Sequence, residues 1–169
     1  MSDAPAKTRA GLKPALIMLG AIFVADQLTK LWILHRVDFS AGPIEALPFL
    51  NFTLVWNRGI SYGLFQTEGM GRWVLVGLTV AGTVALSVWL ARARHRLVRF
   101  SLAAIVGGAL GNLVDRVAYG AVVDFVHLHA AGYSWYVFNI ADAAIVIGVL
   151  GLLWDSFFGA KHERLTARP

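Results

Sequence analysis

The stretch Leu97-Val98-Arg99-Phe100-Ser101-Leu102-Ala103-Ala104-Ile105-Val106-Gly107-Gly108-Ala109-Leu110-Gly111-Asn112-Leu113-Val114 decides the fold. A bilayer core about 30 Å thick needs roughly 20 apolar helical residues to cross it, and this run meets the need. Arginines precede it at positions 92, 94 and 96, and Asn112, Asp115 and Arg116 gather at its far end. Three further stretches qualify, Ala15–Leu34, Trp73–Ala91 and Tyr136–Phe158. Composition agrees: of 169 residues 57% are hydrophobic and 15% charged, where soluble domains carry about 25% charged residues. Mean hydropathy is +0.64. The first span is too long for the apolar core of a signal peptide, contains Asp26 and lacks a small-residue cleavage site, so it reads as a retained helix.

Basic residues orient the spans. Lys7, Arg9 and Lys13 precede the first, Arg92, Arg94, Arg96 and Arg99 lie around the link between the second and third, and Lys161, Arg164 and Arg168 follow the fourth. These are ten of the fifteen Lys and Arg residues, and the positive-inside rule makes their side cytoplasmic. The pI near 10 is then a topology signal, and no nucleic-acid partner is expected. Segments 35–72 and 115–135 fall outside. They contain Phe49–Trp56 and Ala121–Val126, both β-prone, the first followed by a turn at Asn57-Arg58-Gly59. The expectation is an all-α membrane protein: a four-transmembrane-helix bundle with a small extracytoplasmic β-sheet, forming a single integral-membrane domain over residues 1–169. No internal repeat or low-complexity tract is visible.

Ionisable side chains within a span cost several kcal/mol each and are functional suspects. Here they are Asp26, Lys30, Asp115, Arg116, Asp124 and Asp142, with Asn57, Asn112 and Asn139 as neutral companions. At about 1.5 Å per helical residue, Asp26 lies roughly 17 Å from the inner edge and Asp142 about 9 Å below the outer one. Four segments distant in sequence thus deliver polar groups to the outer half of the membrane. Asn112, Asp115 and Arg116 stand at i, i+3 and i+4, and Asn139 and Asp142 at i and i+3. Interhelical hydrogen bonding explains Asp26, Asn112 and Asn139 equally well. It explains two acids at one site less well, since a second uncompensated buried carboxylate costs far more than an amide.

Other features have plainer readings. Gly107 and Gly111 form a small-xxx-small pair that lets helices approach. His127 and His129 alternate as on a strand but lack a third ligand for zinc. The absence of cysteine excludes disulfides, thiolate metal sites and a cysteine nucleophile. Neither metal nor cofactor is expected. Gly59-Ile60-Ser61-Tyr62-Gly63 matches the G-x-S-x-G pattern, but that motif needs an α/β sheet for which this chain has no room.

Five blocks in order carry a resemblance: Asp26-Gln27-Leu28-Thr29-Lys30, Asn57-Arg58-Gly59-Ile60-Ser61-Tyr62-Gly63, Gly108 to Arg116, Val122-Val123-Asp124-Phe125 and Phe138-Asn139-Ile140-Ala141-Asp142. Together they span nearly the whole chain, which resembles the bacterial type II signal peptidases, a family of intramembrane aspartic proteases. The resemblance implies a catalytic pair, Asp124 and Asp142. Asn57, Gly59, Asn112, Asp115, Arg116, Asn139 and Asp26 would surround substrate and acids. The implied substrate is a diacylglyceryl-modified prolipoprotein, cut just before the lipidated cysteine. Implied too are contact with membrane lipid, inhibition by globomycin-type cyclic peptides, and a place in the bacterial inner membrane with both termini cytoplasmic and the site near the outer face. A monomer is expected.

The chemistry reads alongside the name. Two carboxylates sharing one proton can hydrolyse an amide, the ionised one drawing a proton from water and the protonated one polarising the carbonyl. Two rivals remain at this stage. A proton-coupled transporter would also carry membrane acids, though these cluster in one half of the bilayer and show no repeat. A Ser/Lys peptidase would use Ser61 with Lys30.

Overall fold

Four helices carry the apolar stretches: α1 (Leu12–Arg36), α2 (Met70–Arg92), α3 (Arg96–Ala118) and α4 (Ile140–Trp154), the last continued by a π-helical turn, Asp155–Gly159. The computed structural model describes residues 11–59 and 70–159. Lys7, Arg9, Ile60, Ser61, Tyr62, Gly63, Lys161, Arg164 and Arg168 lie outside them. All four helices are long and apolar enough to cross a membrane. In α3, 61% of the apolar stretch is buried within the protein, against 11–17% in the others. The third span is therefore the axis around which α1, α2 and α4 pack. Apolar side chains such as Ile17, Leu78 and Ile147 are exposed on the outside of the bundle.

Glycine makes the close approaches possible. A Cβ on Gly107 would lie 2.8 Å from the Leu19 carbonyl of α1, and one on Gly148 would lie 2.5 Å from the Ser101 carbonyl of α3. Gly108 meets the Ala141 carbonyl, and Gly111 meets the Asp26 carboxylate. Lipid tails are as apolar as leucine, so helices in a bilayer gain little by hiding apolar surface from each other; tight contact holds them instead.

Two sequence-based boundaries need correction. The fourth span does not begin at Tyr136: residues Tyr133–Phe138 form a strand and the helix starts at Ile140. Asn139 causes the change, as the N-cap residue of α4, its side chain accepting from the Asp142 backbone N–H while the Asp142 carboxylate accepts from the Asn139 N–H. This reciprocal capping box pins the first turn and places Asp142 in that turn, not 9 Å deep. Second, Asp115 and Arg116 are not in an outer segment; α3 continues to Ala118. It stops where Gly120 adopts φ +78°, the left-handed conformation glycine tolerates best. Arg72 completes the end by donating to the Arg116 and Val117 carbonyls. Arg99, expected just inside the third span, is buried there and donates to the Ala93 carbonyl, closing the link between α2 and α3.

The sheet has four antiparallel strands in the order β1 (Ile44–Leu47), β2 (Leu50–Asn57), β3 (Val122–Ala130) and β4 (Tyr133–Phe138). The two central strands follow the two expected β-prone stretches; the edge strands are additional. β3 and β4 join through Ala131 and Gly132, both at positive φ, as a two-residue hairpin matching strand twist requires. Val55 lies opposite Asp124 and Asn57 opposite Val122, after an irregularity between Phe52 and Val55. Asn57 thus becomes a diagonal neighbour of Asp124 on one face of the sheet.

The packing generates a test. Gly148→Val should lower stability by about 1–3 kcal/mol through overpacking, read as a fall in Tm of the detergent-solubilised protein. Gly77→Ala, where nothing lies within 4 Å of the added carbon, should leave Tm unchanged or slightly raised. Equal loss in both would show that helix–helix approach does not limit stability.

Candidate active site

Asp124 and Asp142 arrive from different elements, and asparagines bring them together. Asp124 is the third residue of β3 and is 1% exposed. Its Oδ2 accepts from Asn57 Nδ2 at 3.0 Å and its Oδ1 from Asn139 Nδ2 at 2.6 Å. Asp142 Oδ1 accepts from Asn112 Nδ2 at 2.7 Å, and its Oδ2 from the Asn139 backbone at 3.3 Å. Asn139 therefore serves both acids, one by side chain and one by backbone. Its Oδ1 faces the Asp142 N–H at 2.9 Å, and its Nδ2 also lies 3.2 Å from Asn112 Oδ1 and 3.3 Å from the Val123 carbonyl.

Behind the asparagines lies a buried ionic layer. Lys30 Nζ is 2.8 Å from Asp26 Oδ2, 2.8 Å from Asp115 Oδ2 and 3.0 Å from Asn112 Oδ1. Asp26 also accepts from the Ala141 N–H at 2.9 Å, tying α1 to the first turn of α4. Asp115 accepts from the Val123 N–H at 3.1 Å, tying α3 to β3 one residue before Asp124. Gln27 Nε2 donates to Asp26, to the Gly111 carbonyl and to Asp115 at 3.1–3.3 Å. Removing one member of a buried ion pair leaves a charge without compensation, which costs several kcal/mol.

Five of the sequence-derived residues (Asp124, Asp142, Asn57, Asn112 and Asn139) form one connected cluster. Arg116 is half-buried beside it, within electrostatic reach of Asp142, Asp124 and Asp115. The buried Gly59 supports the cluster indirectly, its N–H donating to Asn57 Oδ1 at 3.2 Å. Asp26 and Asp115 stand one layer back, against Lys30. Sequence reading passed over Gln27 and Arg72. Gln27 adjoins Asp26 in the first motif block, which was a usable signal; Arg72 had none. His127 pairs across the hairpin with Ser134, Nε2 to Oγ at 2.6 Å, and not with the acids.

The Asp124 carboxyl is pushed up to about 7. Burial is the main cause and the neighbouring Asp142 charge adds to it, while hydrogen bonds from Asn57 and Asn139 and the Lys30 charge oppose the rise.

Comparisons with known proteins agree with this architecture. Residues 18–158 match the family described as Signal peptidase (SPase) II. The chain is 56% identical over 156 residues to the lipoprotein signal peptidase of Methylorubrum extorquens (strain PA1), with 91% of each chain covered. It is 55% identical over 164 residues to that of Methylobacterium radiotolerans, with 95% of this chain and 94% of the relative covered. Among solved structures, one described as a bacterial membrane enzyme at 2.3 Å resolution superposes with a TM-score of 0.75 at 28% identity, covering 85% of this chain and 90% of the other. A match of this extent to sequence and fold together settles the family: the chain belongs to the signal peptidase II family of bacterial membrane peptidases.

Proposed function

We propose that the protein is the endopeptidase that removes the signal peptide from diacylglyceryl-modified prolipoproteins, cutting just before the lipidated cysteine with water activated by Asp124 and Asp142. The observation that carries this reading is the pair of acids joined through Asn139, with Asp124 holding a proton up to about pH 7. Asp142 as base takes a proton from water while Asp124 as acid hydrogen-bonds the scissile carbonyl. The new C–O bond forms as the carbonyl π pair moves to oxygen, where the Asp124 proton meets it. The intermediate then collapses: the C–N bond breaks, the proton taken by Asp142 passes to the leaving amine of the cysteine, and one hydroxyl proton of the intermediate returns to Asp124 as the carbonyl reforms, restoring the pair. Asn57, Asn112 and Asn139 hold the carboxylates in facing orientations throughout, and Arg116 offers a positive charge beside the developing oxyanion.

Position in the bundle suits such a substrate. The acids lie where α3 and α4 meet the sheet, so acyl chains can stay in lipid while the peptide reaches the pair. We assign this end to the extracytoplasmic face, because the basic link Arg92–Arg96 lies at the other end of α2 and α3. Globomycin-type peptides would compete for the same space. Against a Ser/Lys reading, Lys30 Nζ is already committed at 2.8 Å to two carboxylates and at 3.0 Å to the Asn112 amide.

Three outcomes follow. Asp124→Asn and Asp142→Asn should each abolish cleavage of a lipidated peptide in detergent, a loss of at least about 10⁴-fold for members of an acting unit, while Ser61→Ala stays active. A live Asp142→Asn with a dead Ser61→Ala would reverse the assignment.

In a plot of kcat/KM against pH the alkaline limb should centre near 7, where the pair loses its shared proton, and activity should also fall in acid as the base is protonated. The two limbs belong to the pair as a whole. A raised folded-state value means that Asp124 stabilises the fold below the unfolded value of 3.8 and that this contribution is lost as pH rises through about 7. Asp124→Asn should therefore match or exceed the wild-type Tm at pH 8 while inactive. A flat rate profile from pH 4 to 9 would exclude proton sharing as the limiting chemistry.

With no native cysteine, Arg94→Cys should react only with reagents that reach the cytoplasm and Ala41→Cys with reagents outside. Ala93 is unsuitable as a reporter, being 7% exposed. Labelling of Arg94→Cys from outside intact cells would invert the proposed orientation.

A further inference from the structure

Lys30 makes three contacts within 3.0 Å, and only two are ionic. The third, to Asn112 Oδ1, has a directional consequence. A side-chain amide carries an acceptor at one end and a donor at the other. With Oδ1 taken by the ammonium, Nδ2 must point the opposite way, and there it meets Asp142 Oδ1 at 2.7 Å. Turned over, Asn112 would set its oxygen against the Asp142 carboxylate and its NH₂ against the Lys30 ammonium, leaving buried groups without partners at both ends. Asn139 Nδ2 also approaches Asn112 Oδ1, at 3.2 Å, but that hydrogen is shared with the 2.6 Å contact to Asp124. The ammonium is the stronger constraint, being charged, shorter in reach and itself held by two carboxylates.

We propose that Lys30 is a positioning residue for the aspartate pair: it fixes the Asn112 amide so that its N–H faces Asp142, and it sets a buried positive charge behind the pair. This rests on the dyad reading given above. Asp26 on α1 and Asp115 on α3 hold Lys30 in place, and Asp124 on β3 and Asp142 on α4 feel its charge. Arg116 on α3 is a second cation within electrostatic reach of both acids, and Arg72 on α2 lies at the same end, on the Arg116 and Val117 carbonyls. Lys30 touches neither acid through a hydrogen bond described here; it acts through Asn112 and through its field.

The test uses the full-length enzyme in detergent with a lipidated peptide and overnight incubations, so that slow variants stay measurable. Lys30→Met should lower kcat about 10- to 100-fold, the scale set by outer partners of active-site ligands, with KM nearly unchanged. The alkaline limb of kcat/KM should move upward, because a charge favouring ionised Asp124 is gone. In an Asn112→Ala background Lys30→Met should cost about twofold at most, since the residue it orients is absent. An equal loss in both backgrounds with an unmoved limb would mean that Lys30 only holds helices together, and the inference would fall. Where Lys30→Met alone does not fold, Lys30→Met/Asp115→Asn removes the orphaned carboxylate with the cation. Compared with Asp115→Asn alone, with and without Asn112→Ala, it is read by the same criteria. Asp142→Asn runs alongside: if it is inactive while Lys30→Met keeps the wild-type kcat and limb, this inference fails and the dyad stands. If Asp142→Asn is active, the dyad reading fails first.

Discussion

One asparagine amide ties the polar end of this molecule together. Asn139 caps α4, bonds Asp124 through its Nδ2 and presents its backbone N–H to Asp142. Each contact is ordinary in strength, about 1 kcal/mol net for a typical hydrogen bond. Their joint effect is geometric, because the same atoms that start a transmembrane helix also set the spacing of two acids. The strand β4 ends at Phe138 and the helix begins at Ile140, so no loop separates sheet from membrane at this point. A longer connection would let the acids drift independently.

Around that asparagine the protein solves the problem of burying charge in layers. Lys30 pairs with Asp26 and Asp115 one amide behind Asp124 and Asp142, and each of its partner acids spends its second oxygen or a shared one on a neighbouring element, α4 through Ala141 and β3 through Val123. The inner layer contains amides only. Amides orient carboxylates without neutralising them, which leaves Asp124 free to keep its proton to about 7 while remaining hydrogen-bonded. Had Lys30 contacted Asp124 directly, the acid would have been lost to an ion pair.

Much of this was legible in the chain. Apolar stretches of span length, flanked by Arg92, Arg94 and Arg96, identified four helices, because burial in lipid leaves a compositional trace that no local contact can mask. Asn112, Asp115 and Arg116 were placed on one face by spacing alone. The errors occurred where two signals overlapped. Tyr136-Val137-Phe138 carries no charge and runs into the apolar stretch beyond Asn139, so it was joined to the fourth span; only the capping chemistry of Asn139 and Asp142 marks the border. Arg99 was legible as a residue just inside the third span, but its bend onto the Ala93 carbonyl was not. Arg72 was invisible, since the carbonyls it caps lie 44 and 45 positions away.

The doubling of roles at Asn139 also limits how this site can change over generations. A substitution there would at once unmake the cap of α4 and release Asp124, so no change at this position touches one role alone. The same holds for Gly111, whose missing side chain makes room for the Asp26 carboxylate. Variation is cheap only where a residue does one thing, as along the exposed strand β1 or at Tyr133 and Trp135 on β4. A population under chemical attack would be expected to accumulate its tolerant variants on that rim, leaving the asparagine floor unaltered.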